Sequence, residues 1–209
     1  MASVSPRTPE PQVRQRLVEA AARLLADEGP AALSTRRLAS EVGASTMAVY
    51  THFGGLPQLV RAVVTEGFSR LAEHMAAVPH TDDPLADLAE LGVAYRTNAH
   101  DNPQLYAVMF GSASLGGYRL TKEELAGGRY TFDVLVAATQ RVMDAGIWKA
   151  GDAEGVAGQL WCSLHGFVML ELAGYYELDG DTAEPAFLPT AADRVLVPMM
   201  ANLAVALSA

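Results

Sequence analysis

The stretch Ser34–Phe53, STRRLASEVGASTMAVYTHF, decides the fold of this 209-residue chain. Leu38 and Val42 are four residues apart, as on one face of a helix. Ser34 precedes this apolar run, where a hydroxyl can accept a hydrogen bond from an N–H group of the first helical turn. Gly43 follows the run, where a residue with positive φ ends a helix at little cost. The pattern predicts a short helix with defined ends.

A second short helix is predicted over residues 46–52, with Ser45 as its N-cap. Val49 and Phe53 are four residues apart and form its inward side. Two short helices joined by a turn that contains glycine are typical of a helix-turn-helix, whose second helix can enter the major groove of DNA.

The rest of the chain also favours helices. Half of the residues are hydrophobic and few are aromatic, and the sequence shows no strand–helix alternation and no internal repeat. We expect an all-α fold of about nine helices, with an N-terminal three-helix domain and a C-terminal helical bundle. Beyond the helix-turn-helix, helices are predicted over 10–28, 56–77, 84–100, 103–110, 121–145, 153–176 and 191–206.

Asp152 is the expected cap of the helix 153–176, which is apolar almost all round and therefore expected to be buried. Residues 121–124 match a capping box, residues 178–189 are acidic and expected to be a loop, and Pro198 is expected to kink the last helix.

The predicted domains are a DNA-binding domain, 1–55, and a ligand-binding and dimerisation domain, 56–209. Residues 1–9 are polar and rich in proline, so they are expected to be an arm. The helix 56–77 links the two domains.

The net charge is −9, but the acidic residues are unevenly distributed. Residues 1–75 carry eight basic and seven acidic side chains, whereas residues 76–209 carry seven and seventeen. The helix-turn-helix therefore lies in the part of the chain that is not acidic. An acidic body can steer such a molecule so that it approaches DNA by its neutral end.

The single cysteine, Cys162, excludes an intrachain disulfide framework. The first residues lack the apolar segment of a signal peptide, and no uncharged apolar stretch is long enough to span a membrane. We expect a cytoplasmic protein without a membrane partner.

The sequence offers no convincing catalytic group, metal site or cofactor site. Ser163 and His165 are two residues apart on a predicted helix, so they cannot face each other. Cys162 and His165 are spaced for metal binding, but no second pair of ligands accompanies them. The small residues 111–117 follow no strand, so they do not form a phosphate-binding loop.

The local sequence LASEVGASTMAVYTHF resembles the signature of the TetR (tetracycline-repressor) family of bacterial transcriptional regulators. The matching residues are Leu38, Ala39, Val42, Gly43, Ser45, Tyr50, His52, Phe53 and Leu59. A second segment, LWCSLHGFVMLE (Leu160–Glu171), resembles the Trp-His-Gly type of C-terminal domain found in one branch of that family.

The resemblance implies a ligand-responsive transcriptional regulator, acting as a repressor, rather than an enzyme. It implies a homodimer that binds a palindromic double-stranded DNA operator and is released by a small-molecule effector. The chain departs from the family at Leu56, where many members have a lysine that meets phosphate. Backbone N–H groups at this helix start can replace that contact.

Phosphate contacts position such a protein, and base contacts give it sequence specificity. The reading helix has no Arg, Lys, Asn or Gln, so the bidentate base contacts cannot come from it. Arg36 or Arg37 is the candidate for one strong base contact, and Thr46 and Met47 can contact thymine methyl groups. Tyr50 can contact phosphate or pack on the first helix. The predicted DNA contacts are Thr35, Arg36, Arg37, Ser45, Thr46, Met47, Tyr50 and His52.

Trp161 and His165 lie one helical turn apart, so they share a face. A histidine on an apolar helix needs a ligand or a polar partner in the core, and both alternatives remain open. The predicted effector site is apolar, so the expected effector is small and hydrophobic. Its candidate lining residues are Tyr95, Tyr106, Phe110, Tyr130, Gln140, Met143, Trp161, His165 and Met169, each of which could instead be core.

The last two long helices are expected to dimerise as a four-helix bundle. The apolar residues suited to this role are Leu196, Met199, Met200, Leu203 and Leu207, with core packing within one chain as the alternative. The rival function is a helical dimer that binds DNA or protein without a small-molecule effector.

Overall fold

The computed structural model describes residues 10–110, 121–122, 126–175 and 195–208. In these ranges the named elements are all helical, and the one β contact is an isolated bridge between Trp148 and Ser208. The predicted all-α class is confirmed. The nine α-helices of the described residues are α1 (Glu10–Arg23), α2 (Thr35–Val42), α3 (Met47–Phe53), α4 (Leu56–Ala76), α5 (Pro84–Asp101), α6 (Pro103–Met109), α7 (Arg129–Asp144), α8 (Ala153–Leu172) and α9 (Val197–Leu207).

The chain divides into two compact units. The first comprises Met1–Arg70 and Asn102–Gly128, and the second comprises Leu71–Asp101 and Arg129–Ala209. This grouping assigns α6 and most of α4 to the N-terminal unit, and it divides the chain within α4, the helix that the sequence predicts to link the two domains.

In the first unit, α1 packs against α2, α3 and α6. Of the residues predicted to face inward, Leu38, Val42 and Val49 are buried and Phe53 is partly exposed. The ends of α2 are as predicted. The hydroxyl of Ser34 accepts a hydrogen bond of 3.2 Å from the backbone N–H of Arg37. Gly43 has a φ of 62°, a left-handed conformation in which a residue with a side chain would be strained.

The predicted N-cap of the second short helix is wrong. Thr46 already has helical backbone angles, and no side chain caps α3. The carbonyl of Ser45, rather than its hydroxyl, accepts a bond of 3.0 Å from the N–H of Ala48. The first turn therefore forms through the backbone, and the Ser45 side chain is exposed.

The first predicted helix, 10–28, changes geometry within its range. Its α-helical part ends at Arg23, and the residues Leu24–Glu28 form a π-helical turn. Gly29, with a φ of 78°, then ends the turn. The apolar side chains of the π-helical turn stay buried, which explains why the periodic pattern continues through it.

In the second unit, α8 packs against α5, α7 and α9. Asp152 caps α8 as predicted, accepting a bond of 3.0 Å from the N–H of Gly155. The expectation that this helix is buried all round is wrong for the single chain. Leu170 is 41% exposed and Cys162 is also exposed, so α8 has one open side.

The two described residues before the last helix, Val195 and Leu196, have π-helical geometry, and the predicted kink at Pro198 stays a prediction. Helix α9 begins at Val197, so the proline lies in the first turn, where its missing N–H costs no hydrogen bond. None of the residues of α9 is buried in the chain, although nearly all are apolar.

Three predicted features lie wholly or partly outside the described residues. These are the loop of small residues at 111–117, the capping box at 121–124 and the acidic loop with the helix start at 178–191.

Candidate nucleic-acid interface and effector site

The N-terminal half of α3 presents an exposed surface. The side chain of Met47 is 62% exposed and that of Tyr50 is 52% exposed. Ser45 and Thr46 precede them and are also exposed, and His52 at the end of the helix is partly exposed.

The opposite side of α3 is fixed to the rest of the unit. Val49 is fully buried. The guanidinium carbon of Arg14, on α1, lies 5.3 Å from the ring centroid of Phe53, a distance at which a cation and a ring attract each other. Both predicted inward residues of α3 therefore face the protein, so Met47 and Tyr50 are directed away from it.

The two arginines of α2 have different environments. Arg37 donates a hydrogen bond of 2.9 Å to Glu28 and one of 3.0 Å to Glu41. Arg36 is exposed and has no ion pair with a described residue. Thr35, at the start of the same helix, is partly exposed. Of the two candidates for a strong base contact, Arg36 is the one whose charge is not already neutralised.

Glu41 also accepts a hydrogen bond of 2.6 Å from Arg23, the last residue of α1. The hydrogen bonds from Arg23 and Arg37 lower the pKa of the Glu41 carboxyl. The hydrogen bond that Arg23 donates to Glu41 raises the pKa of Arg23. Glu41 is therefore an ionised carboxylate shared between two cationic side chains.

In the second unit, three of the predicted effector residues lie together. The phenol oxygen of Tyr95 is 2.9 Å from Nδ1 of His165, and it accepts a bond of 3.2 Å from Nε1 of Trp161. The rings of Trp161 and His165 have centroids 5.7 Å apart. Phe132 of α7, which the sequence analysis missed, contacts Trp161 with ring centroids 6.0 Å apart.

Burial lowers the pKa of His165, which favours the neutral imidazole. A neutral ring has one nitrogen that accepts a hydrogen bond, so Nδ1 can accept the phenol proton of Tyr95. The histidine thus has a polar partner in the protein, which was one of the two alternatives that the sequence left open.

The other predicted effector residues are dispersed. Tyr106 and Phe110 lie in the first unit, with ring centroids 4.8 Å apart, and Phe110 also contacts Phe68 of α4. Met143 is buried and Met169 partly exposed. Tyr130 and Gln140 are exposed on α7, where the amide of Gln140 donates to Asp144 at 2.8 Å.

A buried ion cluster accompanies the aromatic one in the second unit. The carboxylate of Glu171 is fully buried and accepts bonds of 2.8 and 2.6 Å from Arg96 and one of 2.8 Å from His100. Burial alone would raise the pKa of Glu171, but the bonds from Arg96 and His100 lower it. The cluster joins α5 to α8.

An apolar groove of about 550 Å³ runs between α8 and α9. One lining residue belongs to α8, and the others lie in α9 or just before it. The lining residues are Ser163, Val195, Pro198, Met199, Asn202 and Leu203.

The described part of the chain has no group of three or more His, Cys, Asp or Glu side chains that could hold a metal ion. Among the described helices, none has the length and apolarity that crossing a membrane requires.

Comparison with known families decides the class of the protein. A model described as "Tetracyclin repressor-like, C-terminal domain" matches residues 88–193, and one described as "Bacterial regulatory proteins, tetR family" matches residues 17–63. The chain belongs to the TetR family. This TetR-family chain is a DNA-binding transcriptional regulator and not an enzyme. The resemblance noted in the sequence is confirmed at the level of the family.

Curated relatives of this TetR-family chain are named as HTH-type (helix-turn-helix) transcriptional regulators. An HTH-type transcriptional regulator of Mycobacterium tuberculosis is 31% identical, over 81% of this chain and 74% of the relative. An HTH-type transcriptional regulator of Mycobacterium bovis is 26% identical, over 91% of this chain and 93% of the relative.

Solved structures share the fold. A protein of unknown function from Rhodococcus has a TM-score of 0.72 at 24% identity, covering 99% of this chain and 100% of its own. A TetR transcription regulator from Haloarcula marismortui has a TM-score of 0.70 at 22% identity, covering 95% of this chain and 100% of its own.

Proposed function

We propose that this TetR-family chain is a ligand-responsive repressor of a bacterial cytoplasm. As a homodimer it binds a palindromic operator, and a small hydrophobic effector releases it. The observation that carries the proposal is the surface around the start of α3. Met47 and Tyr50 are exposed there, while Val49 on the same helix is fully buried.

The exposed residues suit recognition of DNA with few base hydrogen bonds. Met47 and Thr46 offer apolar contact to thymine methyl groups, and the guanidinium of Arg36 suits a bidentate contact to guanine or a phosphate. Thr35, Ser45, Tyr50 and His52 are hydroxyl or imidazole groups of the kind that contact phosphate oxygens. Specificity then depends strongly on DNA shape and on water.

The proposed dimer uses α8 and α9. The apolar helix α9 has no buried residue within the chain, and it lines an apolar groove with α8. A second copy related by a two-fold axis would cover both helices and place two helix-turn-helix units on one DNA duplex.

The proposed effector site is centred on Tyr95, Trp161 and His165. These side chains combine a large apolar surface with a few polar atoms, which is typical of sites for small ligands. Because burial lowers the pKa of His165 and so disfavours a positive charge on its ring, we expect an uncharged or weakly polar effector rather than an anion.

A second candidate is a dimer that binds DNA without an effector. The hydrogen bonds among Tyr95, Trp161 and His165 favour it, because they give these polar atoms partners within the protein, as in a core that binds no ligand. Two measurements separate the candidates. A mobility-shift assay of binding to the DNA upstream of the gene that encodes this protein tests operator recognition. A panel of small hydrophobic compounds, screened by thermal shift and then by release of bound DNA, tests the effector. Binding without release by any compound would favour the second candidate.

A further inference from the structure

Four charged side chains form an unbroken chain of ion pairs beside the helix-turn-helix. Glu28 contacts Arg37 at 2.9 Å, Arg37 contacts Glu41 at 3.0 Å, and Glu41 contacts Arg23 at 2.6 Å. The charges alternate in sign, so the cluster is neutral. Glu41 is its central carboxylate, because it alone contacts both arginines.

The side chains of the cluster are accessible to solvent. Arg23 is 49% exposed and Arg37 is 45% exposed, so either guanidinium could turn towards a nearby phosphate without unfolding the protein. Exposed ion pairs are weak, because water and salt screen them. The pairs therefore bias the two arginines towards Glu41 rather than holding them permanently.

We propose that Glu41 is a specificity-determining residue, which acts as an internal counterion to Arg23 and Arg37 and so weakens binding to DNA of arbitrary sequence. The inference rests on the proposed DNA-binding surface. A phosphate must displace a carboxylate to reach either arginine, whereas no described carboxylate occupies Arg36. Non-specific affinity comes almost entirely from phosphate contacts. Pairing Arg23 and Arg37 with Glu41 therefore lowers the non-specific affinity, while the residues that contact bases remain available.

The test is Glu41→Gln, which keeps the size of the side chain and removes its charge. The probe is a fluorescein-labelled duplex of random sequence, followed by anisotropy from about 50 to about 200 mM salt. We expect tighter binding at low salt, by about tenfold, and a plot of log Kd against log salt that is steeper by about one to two units, since each new phosphate contact adds about 0.9. Adding Arg37→Gln to this variant should reverse about half of the change in slope.

Two variants serve as controls. Glu90→Gln on α5 makes the same change in net charge at an exposed site in the second unit, so it should leave the slope unchanged. Glu28→Gln loosens Arg37 alone, so its slope should steepen by at most about one unit. Circular dichroism checks that each variant is folded. If Glu41→Gln is unfolded, Glu41→Ser, which removes the same charge with a smaller side chain, replaces it, with the same expected slope and the same result that would overturn the proposal.

An unchanged slope in folded Glu41→Gln would overturn the counterion role while leaving the DNA-binding surface intact. An equal change in Glu90→Gln would also overturn it, because total charge would then explain the effect. If the unaltered protein does not bind the random duplex even at low salt, the proposed DNA-binding surface fails together with the inference.

Discussion

The phenol oxygen of Tyr95 links two aromatic side chains that lie one turn apart on α8. It is 2.9 Å from Nδ1 of His165 and 3.2 Å from Nε1 of Trp161. One hydroxyl on α5 thus satisfies two polar atoms on a neighbouring helix. The arrangement holds both rings in defined positions at the proposed effector site.

Replacing Tyr95 by Phe should lower the free energy of unfolding by about 1–3 kcal/mol, because two polar groups in a partly buried site lose their partner. Urea unfolding followed by tryptophan fluorescence measures this change. Tyr130→Phe removes a hydroxyl from an exposed tyrosine of α7 and should change the free energy of unfolding much less. Equal effects of the two substitutions would show that the linkage through Tyr95 carries no special stability.

Acid sensitivity should depend on Asp87. Its carboxylate accepts bonds from the hydroxyl and N–H of Thr81, and from Arg141 of α7. These bonds lower the pKa of Asp87 to about 2, and those from Thr81 contribute most. A lowered pKa in the folded state means that the ionised group stabilises the fold above the pKa of the unfolded chain, about 4, and that this stability is lost as the pH falls towards 2.

Asp87→Asn should therefore lower the urea midpoint near pH 6 and flatten its decline between about pH 4 and about pH 2. Asp82→Asn makes the same substitution at an exposed carboxyl in the preceding loop and should leave the curve as it is. If the wild-type and Asp87→Asn curves are parallel throughout, Asp87 does not carry the acid sensitivity.

The two arginines of α2 should differ in their effect on operator binding. Arg36→Ala should reduce discrimination between operator and random duplex by about 1–3 kcal/mol, the value of a bidentate base contact. Arg37→Ala should have a smaller effect, because Glu28 and Glu41 already occupy that guanidinium. Parallel titrations of both duplexes at one salt concentration give the comparison, and a larger loss for Arg37→Ala would reverse the assignment.

Dimerisation through α9 should fail when a charge enters the groove. Met199 lines it, so Met199→Glu would bring an unpaired carboxylate into the proposed interface. Sedimentation velocity at micromolar concentration should show monomers. Val93→Glu adds the same charge to an exposed site on α5 and should remain dimeric. A Met199→Glu variant that is folded and dimeric would place the interface elsewhere.

The helix-turn-helix could be predicted from the sequence because its signals are local. Ser34 and Gly43 define the ends of α2 through contacts within a few residues. The same reasoning failed at Ser45, where the helix begins one residue after the expected start. A residue that favours a cap does not fix where a helix begins, because the backbone can close the first turn without it.

Relationships between distant residues could not be read from the pattern. Glu41 is four residues from Arg37, so that ion pair was visible in the sequence. Arg23 joins it through packing of α1 on α2, and Glu28 joins it from the π-helical turn that follows α1. Tyr95 and His165 are likewise brought together by packing between α5 and α8. Periodicity showed which face of each helix is apolar, but it could not show which faces meet.

Selection of binding sites from a random duplex library tests the central claim most directly. The chain is proposed to read DNA as a dimer through two copies of α3. We therefore predict enrichment of an inverted repeat, whose half-sites lie one helical turn or a multiple of it apart, and loss of the enriched positions with Arg36→Ala. No enrichment, or an unpaired half-site bound equally well by Arg36→Ala, would contradict the account.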